Sequence, residues 1–133
     1  MPERMAWAAG LADGEGSIFA RILEGSKVEF HFCVTNTDYE ALEEFRQIVG
    51  CGGIYRLAKT KLGRQAWMWS ANGKVAQTAA AVLRPWLRIK AKQADVLLAV
   101  PIRLRGGLPR LTSFEIIGRA VALAELKRLN AGR

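Results

Sequence analysis

Cysteine and histidine are scarce in this chain of 133 residues, and their scarcity excludes several classes of protein. The two cysteines, Cys33 and Cys51, form no C-x-x-C or Cys/His spacing, and the single histidine, His31, cannot complete a zinc site alone. A zinc-binding module and a disulfide-stapled secreted domain are therefore excluded. We expect the two thiols to be reduced, as in an intracellular protein.

Long apolar runs are also missing. No 18 consecutive residues are apolar, and the N-terminal stretch MPERMAWAAG has too short an apolar segment for a secretory signal. We expect an intracellular protein, in the cytoplasm of a prokaryote or in an organelle, with no membrane partner. Internal repeats and low-complexity segments are absent, so residues 1–133 are expected to form a single domain.

Acidic residues are outnumbered by basic ones. The chain carries 20 Lys and Arg against 12 Asp and Glu, which gives a formal net charge of +8 at pH 7. A basic single domain of this kind favours anionic partners, nucleic acid first and an anionic membrane surface second.

Apolar periodicity predicts an α+β protein with one antiparallel sheet. Alternation in both halves of SIFARILEGSKVEFHFCVTN predicts a first hairpin that turns at Gly25-Ser26, and residues 54–72 predict a second hairpin. The stretch RLRGGLPR, residues 103–110, is expected to be a solvated connection. The predicted helices are a segment around Met5 to Ala12, a helix with a capping box at Thr37 to Glu40 that ends near Val49, residues 73–84, residues 87–100, and a helix capped at Thr112 to Glu115 that ends near Asn130.

Strand alternation assigns the side chains of the first hairpin to two faces. The face predicted to be in the core carries Ala20, Ile22, Val28, Phe30 and Phe32. The opposite face is polar and partly basic, and it carries Ser17, Arg21, Lys27, Glu29, His31 and Cys33.

The segment ADGEG, residues 12–16, ends the first helix with two carboxylates and two glycines. Acids are unfavourable there, because the last carbonyl groups of a helix carry partial negative charge. Asp13 and Glu15 are therefore either plain turn residues or ligands for a cation. A twelve-residue calcium loop does not fit, because its sixth position is Ile18 where glycine is needed. Carboxylate and helix-end carbonyl oxygens suit Mg²⁺, and on a basic protein such a site suggests phosphodiester hydrolysis.

Three stretches resemble one known family. AAGLADGEG, residues 8–16, resembles the motif of the LAGLIDADG homing endonucleases. GCGGIY (50–55) resembles the family's Gly-rich turn, and LRIKAKQADVL (87–97) resembles its Lys-rich helix start. The motif positions that match in register are Gly10, Leu11, Asp13, Glu15 and Gly16. The resemblance covers nearly the whole chain, with the same order of elements.

The resemblance implies an αββαββα-like fold in which a saddle-shaped antiparallel sheet carries helices on one face. Because only one motif is present, it implies a homodimer that makes a double-strand break in a long, near-palindromic DNA site. The cofactor implied is Mg²⁺, with Glu15 and Gly14 at the metal, whereas Asp13 is expected to cap and orient the turn. A small-residue helix face lets a second helix approach closely. The face implied to contact the second copy is Met5, Ala8, Ala9 and Ala12.

Register with the family also implies a catalytic set of Glu15, Lys90 and Asn36. Lys90 is implied to neutralise developing charge or to help activate water, with Lys92 as the near alternative. Asn36 is implied to position the water. Glu40 is a departure, since a close relative type carries a basic residue there.

A two-stranded ribbon fits the major groove of B-DNA, so one sheet face is expected to read base edges while basic side chains contact phosphates. The alternative is that these side chains are only solvated. Trp67 and Trp69 share a strand face, and at least one of them is expected in the core. The residues expected on the DNA-binding face and its loops are Arg21, Lys27, His31, Arg56, Lys59, Lys61, Arg64 and Gln65.

Two other functions are compatible with the sequence. A relative without cleavage activity would act as an RNA-splicing maturase, with intron RNA as a partner, or as a DNA-binding regulator. An unrelated basic binding module would use the acid turn only as a turn. The resemblance favours the endonuclease, in the setting of a mobile intron or a similar element.

Overall fold

The computed structural model describes residues 2–24, 27–102 and 112–131, so the turn predicted at Gly25-Ser26 and the connection predicted over 103–110 lie outside the described residues. The elements in chain order are α1 (Pro2–Glu15), β1 (Gly16–Ile22), β2 (Val28–Asn36), α2 (Tyr39–Val49), β3 (Gly53–Arg56), β4 (Trp67–Asn72), α3 (Gly73–Leu83), a 3-10 turn (Arg84–Trp86), α4 (Ala91–Ala99) and α5 (Ser113–Asn130). The predicted α+β class is confirmed.

The four strands form one antiparallel sheet in the order β1-β2-β4-β3. Gly16 lies opposite Val34 in the first pair, Val34 lies opposite Trp69 in the central pair, and Trp69 lies opposite Ile54 in the last. Because side chains alternate along a strand, Val34, Trp69 and Ile54 share one face.

That face of the sheet is buried beneath the helices. Phe30, Phe32 and Trp69 belong to one core cluster that includes Phe45 of α2. The Trp69 ring lies edge-on to Phe32 and Phe45, with ring centroids 5.2 and 4.8 Å apart, a geometry that aromatic pairs favour. The predicted core positions of Phe30 and Phe32 are confirmed, whereas Ile22 at the end of β1 is exposed.

The capping box predicted for the last helix is confirmed. The Thr112 hydroxyl accepts from the backbone N–H of Glu115, and the Glu115 carboxylate accepts from the backbone N–H of Thr112. This reciprocal pair satisfies donors that the first turn of a helix leaves unpaired.

The capping box predicted over Thr37 to Glu40 is wrong. Asp38 is the N-cap of α2, and its carboxylate accepts from the backbone N–H of Ala41 at 3.2 Å. The side chain of Asn36 accepts from the backbone N–H of Asp38, so the chain turns one residue later than predicted.

Gln77 fixes α4 against α3. Its side chain is buried, and Nε2 donates to the carbonyl oxygens of Leu97, at 2.9 Å, and Val100, at 2.8 Å. These carbonyls lie at the C-terminal end of α4, where a helix leaves acceptors unpaired. Within the described part of the chain, no helix has the length and apolar character needed to cross a membrane.

Candidate functional site

The acid turn lies where α1 runs directly into β1, with Glu15 the last helical residue and Gly16 the first residue of the strand. A Cβ at Gly16 would overlap the carbonyl oxygen of Ala12. Glu15 and Gly14 are exposed, and a Cβ at Gly14 would meet nothing within 4 Å. The change from helix to strand therefore requires glycine at position 16, whereas the surface at Gly14 is open.

Asp13 connects the acid turn to the segment before α4 through hydrogen bonds. Its carboxylate oxygens accept hydrogen bonds from the backbone N–H groups of Arg88, at 3.0 Å, and Lys90, at 2.9 Å. A carboxylate is a favourable acceptor for amides at the beginning of a helix. The helix predicted over 87–100 begins only at Ala91, after the residues that Asp13 holds.

Lys90 brings a positive charge to the acid turn. It is 1% exposed, and its Nζ donates to the carbonyl oxygen of Asp13 at 3.1 Å. That carbonyl belongs to the last turn of α1, where partial negative charge favours a cation. Lys92 is exposed on α4. One buried cation, Lys90, therefore lies at the helix end that carries the two acids.

Asn36 lies at the same end of the sheet as the acid turn. It is the last residue of β2, two positions beyond Val34, which pairs with Gly16. Its Oδ1 accepts from the backbone N–H of Asp38 at 2.8 Å, which fixes the side chain in an Asx turn. Glu40 is exposed in the first turn of α2, where its negative charge favours the helix.

The contact surface predicted on α1 is wrong for its three alanines. Ala8, Ala9 and Ala12 are 0% exposed in the single chain and belong to its own core cluster. Their small side chains let α1 pack closely on its own sheet and helices, so they offer no surface to a second copy. Met5, the fourth predicted residue, is half-buried.

A different face of α1 is exposed. Trp7 is 39% exposed, and a Cβ at Gly10 would meet nothing within 4 Å, as at Gly14. Ala6 is also exposed on this helix. Gly10 and Gly14 are four residues apart and so lie on one side of the helix, which gives α1 an outward strip without side-chain volume.

The sheet face opposite the helices, called here the open face, carries mainly neutral side chains in its centre. Thr35 lies opposite Met68, and Met68 lies opposite Tyr55. An open groove of about 550 Å³ runs over this part of the sheet. The open-face residues that line it are Gly53, Tyr55, Met68, Ser70 and Asn72.

Arg56 does not lie on the open face, so its predicted place is wrong. It pairs with Trp67, two residues from Trp69, and alternation puts both on the helix side of the sheet. The Arg56 guanidinium carbon lies 5.3 Å from the Trp67 ring centroid, a cation–π contact, and Tyr39 of α2 packs edge-on against the same ring.

Two further predicted DNA contacts are engaged within the chain. Gln65 Nε2 donates to the carbonyl oxygens of Leu57, at 2.6 Å, and Ala66, at 2.9 Å, so it bridges the two arms of the second hairpin. The His31 ring is on the predicted face but is buried, stacked on Phe19 with centroids 4.9 Å apart. Both side chains are therefore engaged within the chain, and their direct contact with DNA stays a prediction.

The other predicted DNA contacts have exposed side chains. Arg21 lies near the end of β1 and Lys27 directly precedes β2. Lys59, Lys61 and Arg64 are exposed in the connection between β3 and β4. These positions remain predictions for phosphate or base contacts.

The cysteines offer no reactive thiolate. Both Cys33 and Cys51 are free, and burial raises the pKa of each thiol above its usual value. Both are therefore neutral thiols at pH 7. Cys33 lies between Ser17 and Ser70 on the open face, where it contributes shape but no charge.

Solved structures share this fold. The homing endonuclease I-CvuI, in complex with the I-CreI target in 2 mM Mg with the DNA not cleaved, matches with a TM-score of 0.76 and 25% identity, over 99% of this chain and 85% of its own. The archaeal intron-encoded homing endonuclease I-Vdi141I, complexed with DNA, matches with a TM-score of 0.71 and 14% identity, over 96% and 84%. The homing endonuclease I-TnaI matches with a TM-score of 0.63 and 15% identity, over 96% of each chain.

The chain has the fold of the LAGLIDADG homing endonucleases. Its fold is that of a site-specific DNA-binding nuclease. No protein-family model matches this chain, and no curated protein sequence does. The likeness to the LAGLIDADG enzymes lies in the motif at residues 8–16 and in the shared fold.

Sequence reasoning missed part of the open face. Tyr55, Met68 and Ser70 were not among the predicted DNA contacts, because a basic net charge draws attention to charged side chains. Strand alternation could have identified them. If Trp69 lies in the core, its neighbours Met68 and Ser70 must lie on the opposite face. Tyr55 follows, because it lies opposite Met68.

Proposed function

We propose that this protein is a site-specific DNA endonuclease that cuts both strands of a near-palindromic target as a homodimer, by metal-assisted phosphodiester hydrolysis. The observation that carries the proposal is the hydrogen-bonded contact between Asp13 and Lys90 at the end of α1. There Asp13 holds the backbone of Lys90, the buried Lys90 ammonium lies on the last turn of α1, and Glu15 ends that turn exposed.

The donor set at the helix end fits Mg²⁺. Glu15 offers a carboxylate and Gly14 a backbone carbonyl, and both are the hard oxygen ligands that this cation takes. The described residues of one chain bring together no group of three His, Cys, Asp or Glu side chains. In the proposed homodimer, a second copy, DNA phosphate and water would supply the remaining ligands. When bound, Mg²⁺ supplies Lewis-acid stabilisation of phosphoryl charge and a more acidic water.

The protein side chains around this position have separate tasks. The Lys90 ammonium, held by the Asp13 carbonyl, presents a fixed positive charge to the negative charge that develops on the attacked phosphate. Asn36, fixed by its hydrogen bond from Asp38, orients the attacking water. Asp13 keeps Lys90 in place and does not bind the metal itself.

The homodimer forms through the exposed face of α1. A single chain supplies one Glu15 and one open sheet face, which suffices for one half of a target site. Two copies of the glycine strip can approach closely because neither carries a side chain at Gly10 or Gly14. Two-fold symmetry then places two acid turns side by side and makes the two half-sites equivalent.

Gly10→Leu is expected to separate the dimer without unfolding the chain. In one chain the new side chain meets open space, and leucine favours a helix by about 1 kcal/mol over glycine. In the dimer the symmetric contact meets the added side chain twice, and overpacking costs about 1–3 kcal/mol each time, so the dimer dissociation constant should rise about 30-fold or more.

Sedimentation equilibrium measures this constant, with the monomer mass of 14.7 kDa as reference. Ala81→Leu, which adds a similar side chain at an exposed position of α3, is the matched control and should leave the dimer intact. A Gly10→Leu protein that dimerises as tightly as the wild type would exclude this helix face from the interface.

Cleavage of a randomised DNA library tests the proposed function. The purified protein is incubated with the library and Mg²⁺, with EDTA as control, and the ends of cut molecules are sequenced. One Mg²⁺-dependent cut at a near-palindromic sequence is expected. A folded dimer that binds but never cuts would contradict the endonuclease and favour a non-cleaving relative, such as an RNA-splicing maturase.

A further inference from the structure

A group of four side chains connects β1 and β2 on the open face. Arg21 lies opposite Glu29, and Phe19 lies opposite His31, in adjacent rows of the same strand pair. Arg21 Nη2 lies 3.3 Å from Glu29 Oε1, and His31 Nε2 is in contact with the same oxygen. The four residues therefore form one continuous patch, with Glu29 between Arg21 and His31.

Glu29 is unusual because it places a negative charge on the open face. It is the only acidic residue in the four strands, and Arg21 is the only Lys or Arg of these strands on the open face, because Arg56 lies on the helix side. A carboxylate on a surface that meets phosphates opposes binding of a polyanion. The net charge of +8 already attracts DNA in general. The negative charge of Glu29 therefore needs a more specific explanation.

The patch holds Glu29 in a defined position. The His31 side chain is 9% exposed and stacks on Phe19 with an interplanar angle of 11°. The buried ring gives the Glu29 carboxylate a rigid neighbour on one side, while Arg21 approaches from the other. The side chains of Arg21 and Glu29 themselves remain accessible, at 60% and 30% exposure.

An arginine and a glutamate side by side match the two bases of a G·C pair. In the major groove, arginine donates two hydrogen bonds to O6 and N7 of guanine, and glutamate accepts from N4 of cytosine. Glu29 makes both of its contacts through Oε1, so Oε2 is the oxygen for cytosine. Arg21 has further N–H donors beyond the one directed at Glu29.

We propose that Arg21 and Glu29 together read one G·C base pair in each half-site, with His31 and Phe19 as positioning residues. This inference rests on the proposed function, because it requires the open face to lie in the major groove of a specific site. Arg21 is five residues from Gly16 along β1, which is about 17 Å. At the spacing of B-DNA this places the base pair about five pairs outward from the acid turn.

Selection of DNA targets with matched variants tests the proposal. The wild type, Glu29→Gln, Arg21→Lys and the control Glu44→Gln each select sites from a randomised pool at physiological salt, and the bound molecules are sequenced. Glu44 is exposed on α2, away from the open face, so its variant removes the same charge elsewhere. Thermal unfolding of each variant checks that it is folded.

The wild type should select G·C at one position, repeated symmetrically in the two half-sites. Glu29→Gln should relax the preference there by about 5- to 150-fold and allow adenine in place of cytosine, because glutamine makes two hydrogen bonds to N6 and N7 of adenine. Arg21→Lys should weaken the choice of guanine at the same position, since lysine lacks the bidentate fork. Glu44→Gln should select the wild-type sequence.

The contrary results are distinguishable. If Glu29→Gln selects the same sequence as the wild type, the pair serves only the cross-strand stability of the sheet, and this inference fails while the proposed function stands. If the wild type selects no sequence at all, the proposed function fails and the inference fails with it.

Discussion

Replacing Glu15 with glutamine is expected to lower the rate of DNA cleavage by about 10³-fold or more, with little loss of affinity for the target. Glutamine keeps the size of the side chain but loses the negative charge that a hard cation needs. Metal assistance contributes several kcal/mol to transition-state stabilisation, and each 1.36 kcal/mol is a factor of ten in rate. The free energy of unfolding should not fall, because an acid at the C-terminal end of α1 is unfavourable.

Single-turnover cleavage of the selected target in Mg²⁺ measures the rate, and a binding assay in EDTA at fixed salt measures the affinity. Glu44→Gln removes an equal charge from α2 and should cleave like the wild type. Wild-type cleavage by Glu15→Gln would remove Glu15 from the metal site. An equal loss in both variants would show that overall charge, and not a ligand, sets the rate.

Asp13→Ala is expected to lower both the stability of the fold and the rate of cleavage. The Asp13 carboxylate accepts two backbone hydrogen bonds, from Arg88 and Lys90, and hydrogen bonds to charged groups contribute about 1.5–3 kcal/mol each. Partial exposure of Asp13 lets water replace part of this, so the free energy of unfolding should fall by about 2–4 kcal/mol. Cleavage should fall as well, because the segment that positions Lys90 is released.

Urea unfolding measures the stability change, and Asp13→Asn should be intermediate because one acceptor oxygen remains. Asp95→Ala is the matched control, since Asp95 forms a bidentate pair with Arg84 on the exposed surface, where ion pairs contribute little. If Asp13→Ala keeps full stability but loses cleavage, Asp13 takes part directly in the chemistry and does not act only by holding Lys90 in place.

Local patterns sufficed for much of the fold. The Thr112–Glu115 box was predictable because its partners are three residues apart. The core positions of Phe30 and Phe32 followed from alternation within one hairpin. The acid turn was recognisable because two acids at a helix end are unfavourable without a cation. Each of these rests on interactions within a few residues.

The candidate site was less predictable, because its parts meet across the chain. The contact between Asp13 and Lys90 joins residues 77 positions apart, and no local pattern distinguishes Lys90 from Lys92 as the buried cation. Arg56 was assigned to the wrong face, because the register of a short edge strand depends on its pairing with β4.

The sequence by itself therefore determined the order of elements, the chemical character of the acid turn and the basic balance that favours nucleic acid. Only the tertiary structure decided which side of each element is covered. Ala8, Ala9 and Ala12 could line either a dimer contact or the chain's own core, and close packing on the sheet placed them in the core. The same packing left Gly10, Gly14 and Glu15 outward. Periodicity gives a helix its faces, but burial depends on what packs against each face.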